Sequence, residues 1–144
     1  MKLTDILSLF KQGKASAHSH MKNLLEIAIA DGHLHEDEFA LLKEIAKNYG
    51  VSEKKLMAIK DNPEDVEFEI PKDENEKFSQ LFDLVRMMVA DKFIDRAEVK
   101  LCNVYAHRFG YNEKHIPELI DVMIQNIQNG NDVKDTAQRL SWMF

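Results

Sequence analysis

Apolar residues along the chain recur at helical spacing. Met21, Leu24, Leu25 and Ala28 share one face of a predicted helix over 18–31, and Phe82, Val85, Met88 and Val89 share one over 78–91. Each is followed by a short polar corner and then a second periodic stretch, 35–49 or 95–109. Asp95-Arg-Ala-Glu98 has the form of a capping box, in which Glu reaches back to the N–H of the cap residue, and His35-Glu-Asp-Glu38 is a weaker version. Gly50 and Gly110 stand just past these stretches, where a left-handed residue closes a helix at little steric cost. Ser52 and Asn112 offer caps for third helices, although no Glu occupies the box position after Ser52. Two end helices are expected: one over 4–12 with Ile6, Leu7 and Phe10 on one side, and one over 131–144. The latter is capped by Asn131 or Asp132 and buries Val133, Ala137, Leu140 and Phe144. Between 61 and 74, Pro63 and Pro71 interrupt any helix. Val66, Phe68 and Ile70 alternate there as in an extended segment that crosses the surface and pins all three inward. The expected fold class is all-α, a single compact bundle of about seven to eight helices.

The two halves resemble each other. Shifting the chain by 60 lays "ADGHLHEDEF" (30–39) on "ADKFIDRAEV" (90–99), and over 21–56 against 81–116 nine of 36 positions are identical without a gap. They include Leu24/Leu84, Ala30/Ala90, Asp31/Asp91, Glu38/Glu98 and Gly50/Gly110. An ungapped match of this kind points to a duplicated three-helix unit with pseudo-twofold symmetry. The expected organisation is one domain, 1–144. Repeat 1 covers about 18–60, an acidic linker 61–74, repeat 2 about 78–128, and a final helix 131–144.

Charge narrows the partners. The net charge is −6, and residues 61–77 alone hold eight acids and two lysines, so the rest of the chain is balanced. With no basic stripe to meet phosphates, nucleic acid is not an expected partner. No apolar run is long enough for a transmembrane segment, the start lacks the apolar core of a signal peptide, and a cytoplasmic location is expected. The lone Cys102 sits in an apolar pattern and reads as a small buried hydrophobe, and Met87, Met88, Met123 and Met143 read as core.

The corner "ADGHLHEDEF" poses the chemical question. Asp31, Gly32, Leu34 and Glu38 fit positions 5, 6, 8 and 12 of a calcium-binding EF-hand loop, but positions 1 and 3 would be Ile27 and Ile29, which carry no oxygen. The second copy fails in the same way, with Met87, Val89 and Lys92. An EF-hand is excluded. Another oxygen site stays open, because each corner brings an Asp and a Glu near one another in sequence, and two facing corners would pool Asp31, Glu38, Asp91 and Glu98 around a hard cation. His33 or Asp95 would be further ligands. Set against this is a structural reading in which Glu38 and Glu98 serve capping boxes and Asp31 and Asp91 bind turn N–H groups. Zinc is disfavoured, since His18 and His20 lie two apart on a helix and no Cys pair or His-x3-His spacing occurs; these histidines, with His107 and His115, read as solvated. No phosphate loop, nucleophile elbow or Cys/His arrangement argues for an enzyme.

The stretches "IAIADGHLHEDEFALLKEIAKNYGVS" and "VRMMVADKFIDRAEVKLCNVYAHRFGYN" resemble the tellurite-resistance TerB family, which includes the similar N-terminal domain of a DnaJ-like membrane co-chaperone. The resemblance covers roughly 18–128. It rests on Ala30, Asp31, Gly32, Leu34 and Glu38, and in the second copy on Ala90, Asp91, Ile94, Asp95 and Glu98, with departures at His35 and Lys92. It implies an all-helical, non-enzymatic bacterial domain of the stress response. The implied activity is binding of a divalent metal (calcium, manganese or magnesium rather than zinc) through these acids, or of an unidentified protein partner, in a peripheral membrane complex for some members. The alternative is a metal-free interaction module that uses the acidic linker or an exposed helical groove for a basic partner.

Overall fold

The structure, a computed structural model, describes residues 3–30, 32–90 and 94–141, with side chains from Gly13 onward. Among the described residues it is all-helical and compact, with no strand. Seven α-helices follow in order: α1 (Leu3–Ala28), α2 (Glu36–Asn48), α3 (Glu53–Asp61), α4 (Glu74–Val89), α5 (Arg96–Arg108), α6 (Ile116–Gln128) and α7 (Val133–Arg139). A 3-10 turn spans Pro63–Asp65.

The two helices expected over 4–12 and 18–31 are one continuous α1. No proline lies between them, and the isolated Gly13 costs only about 1 kcal/mol against alanine without breaking the hydrogen-bond ladder. Ile6, Leu7 and Phe10 lie outside the described side chains. α1 also stops earlier than expected, at Ala28.

α1 and α4 form the central pair. α2 and α5 each pack on both of them, α3 packs on α1, α6 on α4, and α7 closes against α4 and α6. The pattern reads the same when α1, α2 and α3 are exchanged for α4, α5 and α6. α4 has the pairs Leu84–Val85 and Met87–Met88 fully enclosed, with the partly exposed Arg86 between them, because neighbours cover most of its circumference. Each such aliphatic contributes about 1.5–3 kcal/mol on burial. Met21, Leu24, Ile27 and Ala28 face it from α1, and Cys102 and Met123 complete the interior from α5 and α6. Met143 lies outside the described residues.

α2 and α5 end in the same way. Gly50 (φ 71°) and Gly110 (φ 91°) take the left-handed conformation, and two bonds close each end. Val51 N–H donates to Ala46 O at 2.8 Å and Tyr111 N–H to Ala106 O at 3.2 Å, while each glycine N–H bonds one residue further on. This is the Schellman closure that a glycine in this place favours.

The remaining boundaries follow the sequence reading only in part. Ser52 caps α3, accepting from Lys55 N–H at 3.1 Å. Asn112 instead caps only a turn, accepting from Lys114 N–H at 3.0 Å, and α6 begins later at Ile116, with Pro117 in the first turn where its missing N–H costs nothing. α4 starts at Glu74, with Asp73 as its cap. In the linker, Phe68 packs at 6.2 Å from both the Tyr105 and Phe109 rings, and Val66 is half-buried, but Ile70 is 45% exposed and Pro71 is buried in its place. α7 is capped by Asp132 and ends at Arg139, with Leu140 buried; Phe144 lies outside the described residues.

Candidate functional site: the two helix corners

The first corner begins where α1 unwinds. Ile29 N–H still reaches Leu25 O at 3.0 Å, and Gly32 N–H then turns back to Ile29 O at 2.9 Å. Gly32 sits at φ 90°, a conformation that a side chain would strain. Ile27 is fully buried, so the position that would open an EF-hand loop belongs to the core. His33 and His35 are both exposed, their ring centroids 6.1 Å apart. α2 then starts after His35, and Glu38 Oε1 accepts from His35 N–H at 3.2 Å. Glu38 is 0% exposed. A carboxylate in the first turn of a helix is favoured by the partial positive charge there.

The second corner repeats the theme with different detail. Asp95 caps α5, its Oδ1 accepting from Ala97 N–H at 2.9 Å. Glu98 is also 0% exposed. One turn on, the buried Cys102 thiol lies 3.8 Å from Leu84 O. It is pushed up to about 12, first by burial and then by the charge of Glu98.

The candidate ligands therefore divide. Glu38 and Glu98 point inward, His33 is solvent-exposed, and Asp95 is engaged as a cap. Asp31, Asp91 and Lys92 lie outside the described residues. Among the described residues, no group of three or more His, Cys, Asp or Glu side chains is arranged to hold a metal ion.

A polar cluster that the sequence reading did not find lies between α1, α2 and α4. His20 was expected to be solvated; it is fully buried, with Nε2 3.0 Å from Asp83 Oδ2. Asp83 also meets Arg86 at 3.5 Å, and the His20 ring meets Tyr49 edge-on at 5.0 Å. Tyr49 O–H donates to Glu76 at 2.8 Å, and the buried Gln80 amide donates to Glu76 and to Ser16. Burial, and after it the bond to Glu76, holds the Tyr49 phenol well above its ordinary value, so it stays a donor. One signal was available: His20, Leu24 and Ile27 fall at i, i+4 and i+7, the spacing of a buried face. His18 is partly exposed, and its pKa is lowered by burial and then by Lys55 and Lys14.

Beside both corners in the chain, the end of α1, α3 and α5 enclose an open cleft of about 550 Å³, lined by Leu25, Ile29, Ala30, Ile59, Ala97 and Val104 among others. No helix among the described residues is long and apolar enough to cross a membrane.

Comparison with known proteins bears on the first of these corners. No curated protein and no solved structure matches the chain. The family model described as tellurite resistance protein TerB matches residues 2–61, which carry α1, the first corner, α2 and α3. Over that span, somewhat less than half of its length, the chain is similar to the tellurite resistance protein TerB family.

Proposed function

We propose that this tellurite-resistance-type domain is a non-enzymatic binding protein in which Asp31, Glu38, Asp91 and Glu98 hold a divalent cation. Calcium, manganese or magnesium is favoured over zinc, because the set is all oxygen. The observation that carries the reading is the placement of Glu38 and Glu98. Sixty residues apart, both are fully enclosed in the first turn of the helix that follows a corner, and Glu38 is tied to the backbone of its own corner. Glu38 is thereby tied to the corner whose sequence supplies Asp31, and Glu98 holds the equivalent first-turn position of α5.

Calorimetric titration of chelator-treated protein with Ca²⁺, Mn²⁺, Mg²⁺ and Zn²⁺, beside an Asp31→Asn/Asp91→Asn variant, tests this. Saturable heat with a hard cation, lost in the variant, is expected. Absence of heat with every ion in the unaltered protein, together with a variant that only melts earlier, makes the corners structural turns.

A metal-free interaction module is the second reading, and the apolar cleft between α1, α3 and α5 favours it. Such a surface gives a protein partner something to bury.

A further inference from the structure

We infer that the cleft between α1, α3 and α5 docks an amphipathic helix of a partner protein, with acidic residues flanking its aliphatic stripe. The inference deepens the interaction-module reading and shares its premise of a protein partner. The floor is apolar: Leu25 and Ile59 are almost fully buried beneath it. The walls carry Ile29 and Val104, 41% and 43% exposed, large aliphatic residues left open to solvent. A second, shallower cleft of about 370 Å³ shares Lys100 and Val104 with the first and reaches Ile116 and Pro117, so the apolar surface continues over the α5 ridge.

Charge selects the occupant. The chain as a whole carries −6, yet Lys22, Lys60 and Lys100 line this cleft, and the acid among its lining residues, Glu26, accepts from Tyr105 O–H at 2.8 Å. Lys22 is anchored to Val66 O at 2.7 Å, which leaves Lys60 and Lys100 to meet a partner. A positive rim around an aliphatic floor complements a helix with apolar anchors at i, i+4 and i+7 and acids beside them. The same rim rejects a basic helix. A lipid surface fits less well, because recognition of anionic headgroups takes clusters of about four to eight basic residues, and the volume here is that of a discrete binding pocket.

A displayed library of helical peptides about four turns long, selected against the full chain, provides the test. Enriched sequences are expected to combine Leu, Ile or Phe at i, i+4 spacing with flanking Asp or Glu. Their affinity should fall roughly tenfold in Lys60→Glu/Lys100→Glu and in Val104→Glu. These positions are at least partly open to solvent, so circular dichroism should show all variants folded. No enrichment, enrichment of neutral or basic peptides, or equal binding by the variants overturns the inference. Sedimentation with phosphatidylglycerol vesicles that is lost in Val104→Glu overturns it in favour of a lipid surface. Peptide binding lost in Asp31→Asn/Asp91→Asn but kept in both cleft variants also overturns it, and leaves the interaction-module reading standing with the corners as its surface.

Discussion

His20 on α1 and Asp83 on α4 meet at 3.0 Å across the central helix pair, with the imidazole fully shielded from water. A buried polar group is tolerated when its partner is present and costs its full desolvation when that partner is removed. Asp83→Ala should therefore destabilise the fold by about 1–3 kcal/mol in urea unfolding. His20→Leu in the same background should recover part of that loss, because an apolar side chain of suitable volume leaves nothing unsatisfied. A double variant no more stable than Asp83→Ala would show that the pair does not act as a unit.

Asp95 separates capping from ligation. As a cap on α5 its removal in Asp95→Ala should cost about 1 kcal/mol, the usual worth of such a side chain. Divalent-cation titration should be unchanged in that variant, whereas Asp31→Asn/Asp91→Asn abolishes it. Weaker cation binding by Asp95→Ala would add Asp95 to the ligands.

Phe68 pins the linker to α5. Its ring stacks on Tyr105 and Phe109, and the Arg108 guanidinium lies 4.7 Å from its centroid. Full burial would put a Phe→Ala loss at about 3–5 kcal/mol. Phe68 is only half-buried, so about 2 kcal/mol is expected in thermal or urea unfolding. Ile70→Ala, at an exposed position two residues on, should change stability by less than about 0.5 kcal/mol.

Cys102 reports on the core. Its thiol is buried and raised from 9.0 to about 12, so alkylation by iodoacetamide at pH 8 should be negligible in the native protein and rapid in urea. The sign of the pH effect follows. Above pH 9 the unfolded chain loses the thiol proton and the native chain keeps it, so stability present below pH 9 is lost as pH rises from 9 towards 12. Cys102→Ala should flatten that slope in an alkaline series of unfolding curves. An unchanged slope would assign it to other groups, such as the raised phenols of Tyr49 and Tyr105.

Features that depend on neighbours along the chain were legible from residue order alone. The helical character of the segments, the closures at Gly50 and Gly110, the caps at Ser52, Asp95 and Asp132 and the exclusion of an EF-hand all rest on contacts within a few residues. Such contacts are set by local spacing and side-chain type. Tertiary structure decided what depends on which faces meet. The chain reads locally as separate helices over 4–12 and 18–31, but α1 runs straight through Gly13. His20 reads as solvent-facing and is enclosed, because α4 covers the α1 face that carries it. Ile70 alternates with Phe68 as if both turned inward, yet Pro71 takes the buried place. The cleft was beyond sequence reading for the same reason: Leu25, Ile59 and Val104 come from three helices far apart in the chain. Local periodicity says that a residue has an apolar face to share, and only packing across the bundle says whether anything covers it.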